Sequence, residues 1–223
     1  MHYNDHWDDK FKSRQWGKYP PEDLIRFTFK NFLNRNIKDI SVLEVGCGTG
    51  ANLWFLHREG LEVSGIDFSK TAVQIAQDRI FRENLNINKK RPKLIVGNFE
   101  SLPWDDNSFD LVIDIFSIYS NKLESIKKTI NEVERVMKPG SFFYSKLWGK
   151  KTSGYGKGKK IEKDTYQDIT EGPCKDMGLA HFFSKKDIED TFSIFNIISI
   201  DEILTKKSNG TIIQEYLCSF KKA

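Results

Sequence analysis

From residue 39 onward, short continuous apolar runs alternate with longer stretches in which apolar positions return every third or fourth residue. The runs "DISVLEVG", "LEVSGID", "RPKLIVGN", "SFDLVIDIF" and "SFFYSKLWG" read as strands. Between them "TGANLWFLHREG" reads as a helix stopped by Gly60, and "SKTAVQIAQDRIFRE" as a helix with Val73, Ala76 and Ile80 on one side. "KLESIKKTINEVERVM" is the next helix, closed by Lys138, Pro139 and Gly140. Strands that are apolar at successive positions are buried on both faces, so the alternation predicts an α/β fold: a parallel sheet covered by helices on both sides. Further on, "SKKDIEDTF" predicts a helix with Ser184 as N-cap and Asp187 at the capping-box position. "FNIISIDEIL" and "GTIIQEYLCSF" alternate around the turn "KKSNG" and predict an antiparallel hairpin.

The two remaining segments differ from this core. Residues 1–36 are aromatic-rich, with Pro20 and Pro21 opening a helix on which Leu24, Phe27 and Phe32 can share a face, and they read as a helical cap. Beyond the core at 41–149, "KKTSGYGKGKK" carries five lysines and three glycines with no acid, and residues 150–180 read as a mobile surface insertion before the last helix and hairpin at 184–223. There is no internal repeat and no linker, so residues 1–223 are expected to form a single domain. At 223 residues and 39% apolar content the chain can bury a real core. No stretch reaches the roughly 18–20 apolar residues that cross a bilayer, and the polar, acidic start "MHYNDHWDDKFK" does not suit a signal peptide. Cys47, Cys174 and Cys218 are odd in number and far apart without CxxC spacing, which predicts reduced thiols, no metal site and a cytoplasmic location. A net charge of +4 permits an acidic partner without demanding one.

The chemistry concentrates in "VLEVGCGTGANL", where a strand runs into Gly46, Gly48 and Gly50 and then opens a helix, with Glu44 just upstream. Glycines there bring bare backbone close to a ligand. Gly46, Gly48 and Ala51 fit the dinucleotide form G-x-G-x-x-G/A, and Asp67 lies 21 residues after Gly46, near the place of a ribose-binding acid. Against a dinucleotide, Glu44 would set a carboxylate near the mouth of a pyrophosphate site, and little chain is left for a separate substrate domain. The Walker phosphate loop fails because no Gly-Lys-Ser/Thr follows.

Four pieces in order, "LEVGCGTG", "GIDFS", "GNFESLPWDDNSFDLVIDIFSIYS" and "MKPGSFF", resemble the class I S-adenosylmethionine-dependent methyltransferases, closely over Val42–Trp148 and loosely elsewhere. The resemblance implies a Rossmann-like, doubly wound seven-stranded sheet of order 3-2-1-4-5-7-6 with strand 7 antiparallel. It also implies S-adenosylmethionine as cofactor and S-adenosylhomocysteine as product. By matching positions, Glu44, Gly46, Cys47, Gly48 and Gly50 would line the methionine and ribose part, and Asp67 would take both ribose hydroxyls. Phe68 would lie against the adenine face. Asn98, where the family often has Asp, and Phe99 would contact the adenine edge, while Asp114, Ile115 and Phe116 would hold the methionine end. In similar proteins the N-terminal segment closes over the cofactor. Here Arg14, whose guanidinium suits a carboxylate, and Tyr19 are the residues it would use.

For catalysis the resemblance points to Tyr119, which stands where many relatives have His after the fourth strand, and to His181, just before the last helix, where related enzymes line the acceptor pocket. Tyr with an ordinary pKa near 10 orients better than it deprotonates, so His181 is the acid-base candidate. The alternative for His181 is a ring packed on Phe182 and Phe183 and bonded to backbone. The expected reaction is methyl transfer to an O or N atom of a small metabolite, anionic if the lysine-rich segment attracts it. Two alternatives stay open: an RNA (tRNA) methyltransferase, and a silent S-adenosylmethionine-binding protein. The Asp/Asn-Pro-Pro-Tyr signature of nucleic-acid amino-methylating enzymes is absent, and no membrane partner is expected.

Overall fold

The computed structural model describes residues 3–32, 34–83 and 91–223. Among them, in chain order, lie helices α1 (Tyr3–Ser13) and α2 (Glu22–Phe32), then β1 (Ser41–Val45), α3 (Ala51–Arg58), β2 (Glu62–Asp67), α4 (Lys70–Glu83), β3 (Lys93–Val96) and β4 (Phe109–Ile115). They are followed by α5 (Leu123–Val136), β5 (Met137–Trp148), β6 (Lys159–Glu162), β7 (Thr165–Gln167), β8 (Ala180–His181), α6 (Lys185–Thr191), β9 (Asn196–Lys206) and β10 (Ile212–Lys221). Seven strands form one sheet in the order β3-β2-β1-β4-β5-β10-β9, and β6-β7-β8 form a second, small sheet. Read without the insertion strands, the large sheet has the order 3-2-1-4-5-7-6, as the resemblance implied. The chain divides into two compact units, residues 1–113 with 136–138, and residues 114–135 with 139–223.

In the first unit β1 pairs in parallel with β2, from Ser41↔Glu62 to Val45↔Ile66, and with β4, from Val42↔Leu111 to Glu44↔Ile113. The continuous apolar runs explain this: four successive residues of β1 and five of β2 are buried, so neither face of these strands meets water. Helix α4 buries Ala72, Val73, Ala76 and Ile80, the side read from its periodicity. On α2 the buried stripe is Leu24, Thr28 and Phe32, and Phe27 is only partly covered. At the foot of β4, Asp110 accepts from Lys138 Nζ at 2.7 Å, Ser41 N at 3.0 Å and Ser41 Oγ at 2.7 Å, and pairs with Arg35 at 2.9 Å. Burial pushes this carboxyl up, but the lysine, serine and arginine outweigh it and hold its pKa at about 2.

In the second unit β10 runs antiparallel to both β5 and β9. Phe143, Phe192, Phe195 and Phe220 fill its core, with Phe192 and Phe220 stacked at 4.9 Å. The α6 capping box is present: Ser184 Oγ accepts from Asp187 N, and Asp187 accepts from Ser184 N. Two expectations are corrected. Helix α5 ends at Val136 and β5 starts at Met137, so Lys138-Pro139-Gly140 lies inside the strand rather than closing the helix, with Gly140 at φ +72°.

The second correction concerns residues 150–180, which carry strands and buried side chains rather than a polar, irregular surface loop. They build β6, β7 and the first residue of β8, and they bury Thr152, Thr165, Ile169, Cys174 and Met177. The lysines that suggested a solvated loop are partly tied down by acids far away in sequence. Lys150 Nζ sits between Asp164 Oδ2 at 2.8 Å and Asp187 Oδ2 at 2.7 Å, and Lys151 pairs with Glu202 at 2.9 Å. The Tyr155 hydroxyl donates to the other oxygen of Asp164 at 2.7 Å.

Candidate active-site residues

In the first unit the chain turns after β1 through three glycines, all with positive φ: Gly46 at +75°, Gly48 at +49° and Gly50 at +76°. Gly50 begins α3, and a Cβ there would lie 2.8 Å from the Cβ of Ala76, so the residue must be glycine for both conformation and space. Gly46 N and Cys47 N both donate to Ile66 O, at 2.8 and 3.0 Å, which ties the loop to the end of β2. Glu44 is buried and accepts from Asn52 Nδ2 at 2.6 Å, tying β1 to the first turn of α3. The Cys47 thiol is buried and its pKa is pushed well up, by burial first and then by the charges of Asp67 and Glu44. It serves as packing and not as a nucleophile.

Asp67, at the end of β2, is 7% exposed. Its Oδ2 accepts from Gly48 N at 2.9 Å and its Oδ1 from Ser69 N at 2.8 Å. Burial raises its pKa to about 6 against those bonds. A carboxylate has about four lone-pair sites. Gly48 and Ser69 take two of these and the Phe68 backbone bonds the carboxylate as well, so Asp67 keeps acceptor capacity for a further donor. Phe68 and Phe99 pack against each other at 4.4 Å, and Phe68 is only partly covered, giving an apolar plate immediately after the acid. Asn98 is exposed, and its Oδ1 accepts from Glu100 N at 2.9 Å, which shapes the turn after β3. These residues fit a nucleoside whose sugar meets an acid and whose base meets an aromatic face.

The cap belongs to the same unit. Asp8 Oδ1 on α1 accepts from Ser69 Oγ at 2.7 Å and Thr71 N at 2.8 Å, so α1 is pinned to the start of α4. Phe11 lies against Gly48, within 3.4 Å of where a Cβ would stand, and packs on Trp16 at 4.7 Å. Arg14 lies over the Trp16 ring at 4.1 Å. Tyr19 is 71% exposed and meets Trp54 edge-on at 5.8 Å, on the α3 side rather than over the glycine loop. Asp8 and Phe11, which the sequence pattern did not single out, are the cap residues that meet the start of α4 and the glycine loop. The i, i+3 pair of an acid and a ring beneath Trp7 was the available signal.

In the second unit Asp114 is fully buried and all its bonds are internal. Oδ1 accepts from Ser117 N at 2.9 Å and Ile118 N at 3.0 Å, and Oδ2 accepts from Ser145 Oγ at 2.6 Å. Burial raises its pKa to about 6. Its side chain thus shapes the turn after β4, where Ile115 and Phe116 follow. Phe116 holds φ +55°, an uncommon conformation for a bulky residue, and stacks on Trp148 at 3.8 Å. Strain of that kind persists only where surrounding packing enforces it.

The two catalytic candidates are brought together. His181 N donates to Tyr119 O at 2.9 Å, and both side chains are buried, each 3% exposed. The Tyr119 ring meets Trp148 edge-on at 6.2 Å, and its hydroxyl bonds the thiol of Cys174, whose pKa burial pushes up to about 12. The His181 ring meets Phe183 edge-on at 4.6 Å, and its Nδ1 lies 2.6 Å from Thr165 Oγ1. Burial lowers the His181 pKa from 6.5, partly offset by the carboxylates of Asp164, Glu162 and Asp187. His181 is thus wedged against Phe183, and its ring is bonded to a side chain, Thr165, rather than to backbone. Among the described residues no group of three His, Cys, Asp or Glu could hold a metal, and no helix is long and apolar enough to cross a membrane.

A glycine turn after the first strand, an acid at the end of the second, and a seven-stranded sheet whose next-to-edge strand alone runs antiparallel form the class I S-adenosylmethionine-dependent methyltransferase fold. Comparison with known proteins agrees. Residues 43–145, a little under half of the chain, match the family model described as a methyltransferase domain. A solved S-adenosylmethionine-dependent methyltransferase from Methanosarcina mazei is 25% identical, with TM-score 0.71 over 87% of this chain and 96% of that one. Among curated relatives, the sterol 4-C-methyltransferase strm-1 of Caenorhabditis elegans is 27% identical over 68% of this chain and 42% of its own length. The tRNA N(3)-cytidine methyltransferase METTL2 of Danio rerio is 25% identical over 74% of this chain and 47% of its own length. The chain thus spans under half the length of these two relatives. In fold and over residues 43–145 the chain is similar to the S-adenosylmethionine-dependent methyltransferases.

Proposed function

We propose that the protein transfers the methyl group to an oxygen or nitrogen atom of a small metabolite, with His181 taking the acceptor's proton and Tyr119 helping to orient the acceptor. The observation that carries this reading is the His181 ring: buried, held at Nδ1, and shifted by burial toward the neutral form that can accept a proton. In the first unit the cofactor would be held by the glycine loop, by Asp67 at the ribose and by Phe68 and Phe99 at the adenine, with Glu44, Cys47 and Asn98 bordering it. When bound, S-adenosylmethionine supplies a methyl carbon already activated by a positive sulfur.

Alignment of two bound partners in a dry site supplies on the order of 7–11 kcal/mol, and a general base about 3–5 kcal/mol more. Positioning therefore carries most of the rate, and His181 decides how acidic the acceptor must be. An anionic acceptor remains part of the proposal through Lys157, Lys159 and Lys160, which are exposed on the insertion, whereas Lys150 and Lys151 are held by their own acids.

Metabolite and RNA fractions incubated with methyl-labelled cofactor test the proposal. Label should enter the small-molecule fraction and fall with His181→Ala, while S-adenosylhomocysteine affinity by calorimetry stays unchanged. The similarity to METTL2 supports a second reading, in which a tRNA is the acceptor. That reading predicts label in RNA and an RNA affinity that falls steeply with salt, an outcome that overturns the first. Full activity of His181→Ala would remove His181 from the chemistry.

A further inference from the structure

The register of the small sheet sets Thr165 on β7 directly across from His181 on β8. Thr165 Oγ1 touches two partners: His181 Nδ1 at 2.6 Å and Glu162 Oε1, at the end of β6, at 3.1 Å. The same Glu162 oxygen accepts from Leu123 N, the first residue of α5, at 2.6 Å. Thr165 is fully buried and His181 nearly so. None of these contacts involves a residue that the sequence had singled out, apart from His181 itself.

The hydrogens in this chain can be placed by counting. A hydroxyl has one proton to give, and an ionised carboxylate has none. If Thr165 gave its proton to His181 Nδ1, its oxygen and Glu162 Oε1 would face each other with lone pairs only. If Thr165 instead donates to Glu162, its oxygen is free to accept from an Nδ1–H, and every contact in the chain is satisfied. Resting on the reading of His181 as the base, we propose that Glu162 and Thr165 are positioning residues that hold His181 as the Nδ1–H tautomer, so that Nε2 presents the lone pair that takes the acceptor's proton. The bound cofactor would supply the activated methyl group, and the acceptor's proton would pass to Nε2, giving an imidazolium whose Nδ1–H would still donate to Thr165. The imidazolium then returns its proton to solvent. The charged groups acting on the ring are Glu162, Asp164 and Asp187, which favour the imidazolium, and Lys150, which opposes it.

Helix α5 fixes the far end of the relay. Glu162 is anchored by an N–H at the helix N-terminus, where backbone donors lack partners and favour an anion. The carboxylate therefore cannot swing away from Thr165 without leaving that N–H unmet. This assigns the insertion a role beyond covering the sheet: it delivers a pre-oriented base.

The test uses the full chain labelled with ¹⁵N-histidine and needs no acceptor. Imidazole ¹⁵N shifts near pH 8 should show His181 with a protonated Nδ1 and a bare Nε2. Thr165→Val and Glu162→Ala should lose that preference, in Glu162→Ala because the threonine proton is released to turn toward Nδ1. Thr165→Ser and Glu162→Gln, which keep the hydroxyl and the accepting oxygen, should restore it. An Nε2–H tautomer in the unaltered protein, or no change in either disruptive variant with its near-UV circular dichroism intact, overturns the relay. With the labelled metabolite fraction as acceptor, Thr165→Val should lower turnover about tenfold or more while Thr165→Ser does not. Failure of the two readings is separable: a correct tautomer with an active His181→Ala sinks the base and spares the relay, and the reverse pattern sinks the relay alone.

Discussion

Asp67 allows the cofactor assignment to be tested quantitatively, by replacing it with Asn and measuring S-adenosylhomocysteine binding across pH. Its pKa rises from 3.8 to about 6, which at 1.36 kcal/mol per pH unit means that the buried carboxylate costs on the order of 3 kcal/mol at neutral pH. Asn removes that cost. However, Gly48 N and Ser69 N each point at a different oxygen of Asp67, and an amide has only one. One N–H is therefore left facing a donor, which costs about 1–3 kcal/mol. The two effects nearly cancel, so the melting temperature should barely move. Binding should not be spared. A ribose hydroxyl donating to a carboxylate is worth about 1.5–3 kcal/mol, so the affinity should fall by at least ~10-fold. In the unaltered protein affinity should be flat above pH 7 and decline below about pH 6 as Asp67 takes up its proton. Asp67→Asn should lack that decline. Isothermal titration at pH 5.5 and 8 decides the matter: equal affinity of the two proteins at pH 8, or a pH profile shared by both, would refute the placement of the ribose on Asp67.

Three further outcomes are expected. Asp114 has a folded pKa raised to about 6, so its contribution to stability is full below about pH 4 and is lost as pH rises through 6. Asp114→Asn can keep all three internal bonds and should raise stability at pH 8 by up to roughly 3 kcal/mol with no gain at pH 4, read from urea midpoints; a loss at pH 8 would show that the carboxylate is needed as an anion. Gly50→Ala forces a Cβ into the left-handed region and against Ala76, and should cost about 2–5 kcal/mol; a melting temperature within a degree of the parent would mean that the loop has another conformation. In hydrogen exchange the amides of His181 and Phe182, donating to Tyr119 O and Asp164 O, should be as protected as those of β10, and rapid exchange there would restore the picture of a mobile insertion.

Where function was legible in the sequence, local chain geometry and site chemistry depended on the same residues. The glycines of "GCGTG" are needed for backbone conformation and for close ligand approach, so their spacing announces both the turn and the pocket. The central strands β1, β2 and β4 were legible because burial on both faces keeps most of their positions apolar. Residues 150–180 were not, and the physical reason is specific. Lys150 meets Asp164 and Asp187 only after the chain has folded back, so "KKTSGYGKGKK", with five lysines and no acid, looks solvated although Lys150 and Lys151 pair with acids beyond it.

The same reasoning explains why His181 could be named and its partners could not. A histidine ahead of the last helix stands out because few side chains titrate near neutrality. A threonine and a glutamate in "IEKDTYQ" have nothing in their spacing to suggest a common task, since three residues apart means one face of a helix but a turn in a hairpin. Here the hairpin brings Glu162 back beside Thr165, and strand pairing then sets Thr165 opposite His181. The relay is thus a property of register. Moving β8 by one residue would place Ala180 or Phe182 opposite Thr165 and leave the threonine with no ring to orient. A deletion of one residue between Met177 and Ala180 should accordingly abolish the Nδ1–H preference of His181 while leaving S-adenosylhomocysteine binding in place, because the glycine loop and Asp67 belong to the other compact unit.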